Sequence, residues 1–296
     1  MKLRSSYLGI ILLLPALAVM LAFVVFPTIW GVVMSMTNAS LVGIGAAHPR
    51  FIGLNNYISL LRDSRFYHSL SVTVIFTVFS ALIGQVALGL ALALLMRRKD
   101  IKGKSVIATA VFISWVIPEV VAGYMWGSYA SREGLLNLII KALRLDRLGI
   151  EPTNWLFYKP LETITIANVW RGTAFSMILF SAALESIPNF LYEASSLDGA
   201  SSWDRFRYIT LPLLAPAILT DLILITIWTF SVFTMPFIMT GGGPGTRSEL
   251  WTIYIYRQAL LPPYEIGYAA AAATLMFLFT LVLIVAYITV LKRGWG

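Results

Sequence analysis

The chain contains no cysteine, which excludes disulfides and thiolate chemistry and leaves the compartment open, since a membrane chain needs neither. Histidine is nearly as scarce. His48 and His68 stand 20 residues apart in a predicted loop region, a poor basis for a metal centre. Charge is thin too: 12% of residues are charged against 58% hydrophobic, about half the charged share of an average soluble domain. With a mean hydropathy of +0.81 and several apolar runs near the length of a span, the composition is that of a polytopic, all-α membrane protein. The net charge of +8 is therefore read first as topology and only then as an anionic partner. No long polar domain, internal repeat or low-complexity tract interrupts the runs, and nucleic acid is not an expected partner.

An energy source is also missing. Gly103-Lys104-Ser105 matches the end of a phosphate-binding loop, but Arg98 stands where that loop's first glycine belongs, and the segment follows a span instead of a strand. No other nucleotide-binding loop and no Ser/His/Asp constellation occurs. The chain is not expected to be an enzyme or to hold a cofactor. If ATP drives transport, ATP and magnesium sit on another chain.

What is present is six apolar runs, at 7–34, 69–96, 106–128, 161–184, 213–239 and 266–291. Each is long enough to cross a hydrocarbon core of roughly 30 Å as a helix. The first follows Lys2 and Arg4 but is about twice the length of a signal-peptide core and lacks a convincing cleavage site, so it reads as a retained span. Lysines and arginines near the span ends divide almost evenly between the two sides. Density decides: "RRKDIKGK" at 97–104 packs five positive residues into eight, and a cytoplasmic N-terminus gathers it with Lys2, Arg4, Arg205, Arg207, Lys292 and Arg293 in short inner loops. Both termini are then cytoplasmic.

Residues 193–216, "EASSLDGASSWDRFRYITLPLLAP", are polar between two oily runs. Pro188 suits a first helical turn, Asp198-Gly199 suits a helix end, and Phe190, Leu191, Ala194 and Leu197 fall on one face. Ser201 or Ser202 with Asp204 can open a second short helix, with Trp203, Phe206 and Ile209 on its face, and "TLP" at 210–212 is expected to stop it. Physics alone leaves two readings of this helix-turn-helix: an amphipathic loop on lipid headgroups, or a protein-docking element.

The pattern E-A-x-x-x-D-G-A followed by I-x-L-P resembles the EAA loop of permease subunits of binding-protein-dependent ABC importers, with Glu193, Ala194, Asp198, Gly199, Ala200, Ile209, Leu211 and Pro212 in register. Ser195 replaces the second alanine. "FIGLNNYISLL" at 51–61 and "TGGGPGTRSELWTIYIYRQAL" at 240–260 resemble segments of the carbohydrate branch, in its maltose-F-like and glycerol-phosphate-A-like subunits. The resemblance implies a type I ABC importer permease fold of six transmembrane helices. It also makes the cytoplasmic segment 186–212 a coupling loop seated on an ATPase.

Ionisable residues within spans are costly and point to function or a buried partner. Glu119 after Pro118, Arg171 in the fourth run and Asp221 in the fifth stand out. They either neutralise one another, or groups on a partner permease, or line a substrate cavity. Asn168, Arg171, Gly172 and Phe175 share a helical face, as do Trp115 and Glu119. Maltose-type relatives build their pocket from the equivalent stretches. By that resemblance Trp115, Glu119, Arg171, Gly172, Phe175, Trp228, Thr229 and Val232 are the expected substrate-binding residues.

The expectation is a permease of an ATP-driven importer in the cytoplasmic membrane of a prokaryote, moving a sugar of di- or oligosaccharide size. Its partners would be a second homologous permease, two ATPase subunits, an extracytoplasmic substrate-binding protein and membrane lipid. The alternatives are a glycerol-3-phosphate-type importer, an ion-coupled secondary transporter working alone, and a membrane scaffold that does not transport.

Overall fold

The computed structural model describes residues 12–98 and 100–294, with side chains as far as Thr289. Lys2, Arg4, Lys99 and positions 7–11 of the first apolar run lie outside the described residues, as do the side chains of Lys292 and Arg293. Among the described residues there is no strand, only an isolated bridge between Thr37 and Phe51.

Among the described residues, eleven helices have seven residues or more: α1 Leu12–Ser35, α2 Ser64–Arg97, α3 Lys104–Val116, α4 Glu119–Tyr129, α5 Leu135–Ala142, α6 Pro160–Glu185, α7 Asn189–Leu197, α8 Ser202–Phe230, α9 Thr234–Thr240, α10 Trp251–Leu260 and α11 Ile266–Gly294. Of these, α1, α2, α8 and α11 are long and apolar enough to cross a membrane alone. The bent pairs α3–α4 and α6–α7 bring the number to six.

Two of the expected runs differ in form. Residues 106–128 do not make one helix, because α3 and α4 meet at 107°. Pro118 lacks an N–H and pushes the residue before it out of the helical region, and Ile117 and Pro118 are both extended. The run 213–239 is also divided. α8 ends at Phe230, and α9 begins only at Thr234. At its other end α8 starts eleven residues earlier than the run, at Ser202, so "TLP" does not stop the short helix but lies inside a continuous one. A π-helical turn at Phe206–Thr210 makes this possible. A wider turn just before Pro212 relieves the clash that a proline ring makes with the preceding turn.

The residues form two compact units. One comprises residues up to Phe66 together with Tyr254–Phe279. Here Asn56 donates to the carbonyls of Ser35 and Thr37 at 2.8 Å each. The hydroxyls of Tyr254 and Tyr268 both donate to Asp63 Oδ2, at 2.7 and 3.2 Å. Asp63 Oδ1 accepts the Arg65 N–H at 2.8 Å and so caps the start of α2.

The other unit comprises Tyr67–Ile253 and the chain from Thr280. Its axis is α6, which packs along α2, α3 and α8. One buried cluster gathers Phe76, Ile164, Ala167, Met235, Leu250 and Ile253. A second, of Ala93, Phe180, Leu184, Ile187 and Leu214, is covered by Leu191 and Tyr192 of α7. Phe79, Ile83, Leu88 and Ile166 remain exposed, as lipid-facing residues do, because hydrocarbon gives them no reason to turn inward.

Candidate functional site

The break between α3 and α4 and the end of α8 frame a cavity of about 390 Å³ within the second unit. Trp115, Glu119, Arg171, Gly172, Trp228, Thr229 and Val232 line it. Phe175 stands behind this wall, its ring stacked on Trp115 at 5.6 Å and edge-on to Trp228 at 4.7 Å. Trp115 and Trp228 are themselves 5.6 Å apart. Three elements thus contribute one aromatic box.

Glu119 occupies the first turn of α4, where unpaired backbone N–H groups favour a negative charge. Arg171 reaches it from α6, Nη1 to Oε1 at 3.1 Å, with the two side chains 21% and 34% exposed. The guanidinium also lies 5.5 Å from the Trp115 ring centroid, within cation–π range. Its Nε has no hydrogen-bond partner among the described residues. Asp221 is elsewhere: it is fully buried, faces Ser176 and makes no well-aligned hydrogen bond. It does not join the Glu119–Arg171 pair.

A polar strip completes the wall. Gln85 Nε2 donates to the Asn168 carbonyl at 3.3 Å. Asn168 Nδ2 donates to Ser80 Oγ at 2.6 Å and Thr229 Oγ1 at 3.4 Å. Ser80 and Gln85 belong to a π-helical stretch of α2, Val78–Gln85, a distortion that often marks functional sites. Gly172 is explained by the same strip, since a Cβ there would lie 2.1 Å from Gln85 Oε1. Sequence reasoning missed Gln85, Ile225, Ser231, Phe233 and Thr234 as lining residues, and it placed Asn168 only on the shared face. A lone amide in the apolar run around Gln85 was the available signal.

The stretch 186–212 forms a second candidate surface. α7 turns 67° from α6, and Gly199 follows it with φ +77°, a left-handed conformation that glycine adopts without penalty. Ser201 and Asp204 then make a capping box at the start of α8. Glu193, Ala194, Asp198 and Gly199 are exposed and Ala200 half-buried. Ile209, Leu211 and Pro212 sit inside α8 instead of on the loop. The apolar face of α7 is split: Leu191 packs inward, while Phe190 and Leu197 stay 64% and 89% exposed.

The chain matches the family described as binding-protein-dependent transport system inner membrane component over residues 85–294. It is similar to the trehalose/maltose transport system permease protein MalF of Thermococcus litoralis, at 35% identity over 98% of this chain and 95% of that one. It is also similar to the sulfoquinovosyl glycerol transport system permease protein SmoG of Agrobacterium fabrum, at 32% identity over 99% and 92%. The trehalose transport system permease protein SugA of Mycobacterium tuberculosis is 33% identical over 93% and 86%. Among solved structures, a chain of a bacterial alginate ABC transporter in complex with an alginate pentasaccharide-bound periplasmic protein superposes with a TM-score of 0.82. It is 22% identical, over 100% of this chain and 97% of that chain. The fold is that of an ABC importer permease. With its apolar spans, its bent third span and this family match, the chain belongs to the inner membrane components of binding-protein-dependent transport systems.

Proposed function

We propose that the chain is one permease subunit of an ATP-driven importer that moves a sugar, of di- or oligosaccharide size, across the cytoplasmic membrane of a prokaryote by alternating access. The carrying observation is the box of Trp115, Phe175 and Trp228 beside the Glu119–Arg171 ion pair. Aromatic faces cover the C–H surfaces of a sugar, while Gln85, Asn168 and Thr229 offer amide and hydroxyl groups to its hydroxyls. The relatives named for trehalose and maltose support the same substrate class. A glycerol-phosphate substrate fits less well. Arg171 already has Glu119 as its counter-charge, and a phosphate would meet that carboxylate.

In this reading Trp115, Glu119, Arg171, Gly172, Trp228, Thr229 and Val232, backed by Phe175, form half of a cavity that a second, homologous permease completes. Two ATPase subunits hold ATP and magnesium, and one docks at 186–212. There Glu193 meets a basic or hydrogen-bonding group, Gly199 permits the turn, and Ala194, Asp198 and Ala200 shape the contact. Ile209, Leu211 and Pro212 carry the motion into α8. An extracytoplasmic binding protein delivers substrate. The test is sugar uptake by the transporter reconstituted with its ATPase, second permease and binding protein. Uptake that needs ATP and the binding protein is expected. Uptake by this chain alone along an ion gradient would instead make it a secondary transporter.

A further inference from the structure

A second cavity, of about 350 Å³, lies where the end of α2 meets α7 and the start of α8. Its lining includes Arg97, Arg205, Asn189, Tyr192, Ser202 and Thr210. Both arginines are half-buried, and among the described residues neither pairs with a carboxylate. Arg97 Nη1 donates to Tyr192 Oη at 2.7 Å, with the guanidinium 4.1 Å from the centre of that ring. Arg205 Nη1 donates to Ser196 Oγ at 2.6 Å and Nη2 to Ser202 Oγ at 3.2 Å. Of the acids near them in sequence, Asp100 is engaged with Arg98 and Asp204 with Ser201. Tyr192 and Thr210 share a hydrogen bond at 2.9 Å, so the two sides of the cavity are tied together.

Two cations without a counter-charge, among hydroxyl and amide groups, make a receptor for a phosphoryl group, whose oxygens take guanidinium donors in pairs. The place of the cavity, at the ends of two apolar runs, fits the same ligand. Arg97 closes α2 after the apolar run Val86–Met96, and Leu211 opens the apolar body of α8. Trp203 and Tyr208 are 65% and 68% exposed on the first turns of α8. Aromatic and basic side chains at the end of an apolar run mark the headgroup level of a bilayer.

We propose that Arg97 and Arg205 form a site for a phosphoryl group, supplied by the headgroup of an anionic phospholipid, that clasps the end of α2 to the start of α8. The bound headgroup then stiffens the joint between the loop at 186–201 and α8. The site is independent of the transported substrate.

Thermal unfolding of the purified, assembled transporter in detergent tests this, with titration of short-chain phosphatidylglycerol, phosphatidylcholine or inorganic phosphate. Phosphatidylglycerol is expected to raise the midpoint by several degrees, since a ligand that binds only the folded state stabilises it. Phosphatidylcholine should do so far less. The double variant Arg97→Gln/Arg205→Gln should lose the difference between the two lipids. Arg205→Gln alone, which gives up only two serine contacts, should lose at least half of it. Tyr192→Phe, which leaves both cations in place, should keep it. A shift by inorganic phosphate alone, lost in the same variants, would support the phosphoryl site and assign it to free phosphate. Equal shifts with both lipids, or a full phosphatidylglycerol shift in the double variant, would overturn the proposal.

Discussion

Arg171 of α6 and Glu119 of α4 meet at 3.1 Å across the bend in the third span, so two opposite charges cancel at the wall of the cavity. Removing one partner leaves the other charge uncompensated, which costs more than removing both. Arg171→Ala and Glu119→Ala should each lower ATP-driven uptake about tenfold or more, a loss of roughly 1.4 kcal/mol. The double variant Glu119→Ala/Arg171→Ala should recover most of it. Additive losses in this cycle would show that the residues act separately.

Gly172 faces Gln85 so closely that a methyl group would lie 2.1 Å from its Oε1. Gly172→Ala should therefore destabilise the protein by about 1–3 kcal/mol, the usual range for overpacking. Gln85→Ala in the same chain should restore the unfolding midpoint, though not the uptake. Thermal unfolding in detergent measures both. A midpoint unmoved by Gly172→Ala would remove the steric account.

Trp228 touches both other rings of the aromatic box. Trp228→Ala should raise the sugar concentration for half-maximal uptake, whereas Trp228→Phe should keep much of the apparent affinity because an aromatic face remains. An alanine variant with unchanged concentration dependence would take the box out of the transport path.

At Gly199 a Cβ would meet nothing within 4 Å, and the strain lies in φ +77° alone. Gly199→Val should leave the chain in the membrane but abolish co-purification of the ATPase and ATP-driven uptake. Gly199→Asn, which tolerates the left-handed region, should retain a measurable share. Normal uptake by the valine variant would contradict the docking role of the loop.

Burial alone would raise the pKa of Asp63, but hydrogen bonds from Tyr254, the Arg65 backbone and Tyr268 outweigh it and hold the carboxyl below its ordinary value of 3.8. A carboxyl depressed in the folded state stabilises above its unfolded pKa, and that contribution fades as pH falls through the folded one. Asp63→Asn should therefore be less stable than the parent near neutral pH, with the gap closing below about pH 4. Unfolding midpoints of both chains across that range provide the check.

Much of this was readable from residue patterns. The apolar runs, the Ser201–Asp204 cap and the left-handed Gly199 each rest on local chemistry; the eight pocket residues came from the family resemblance, and seven of them line the cavity with Phe175 packed behind it, their contact with substrate being a proposal. What was not readable depends on contacts between distant segments. A proline inside an apolar run is compatible with a slight kink or a full break. The 107° bend at Pro118 goes with the packing of α4 against α9, two elements more than 100 residues apart. Gln85 enters the cavity wall only because α2 and α6 approach closely at Gly172. The helix through "TLP" was hidden because Pro212 reads as a terminator until the π-helical turn before it is seen.

That turn gives α8 a mechanical meaning. Because Ser202 and Trp228 belong to one unbroken helix, about 40 Å of rod at 1.5 Å per residue joins the foot of the loop to the aromatic box. A tilt of about 10° about either end would carry the other by roughly 7 Å, more than one helical turn. A small rocking at the membrane surface carried along this helix therefore becomes a displacement large enough to open or shut a sugar-sized gap.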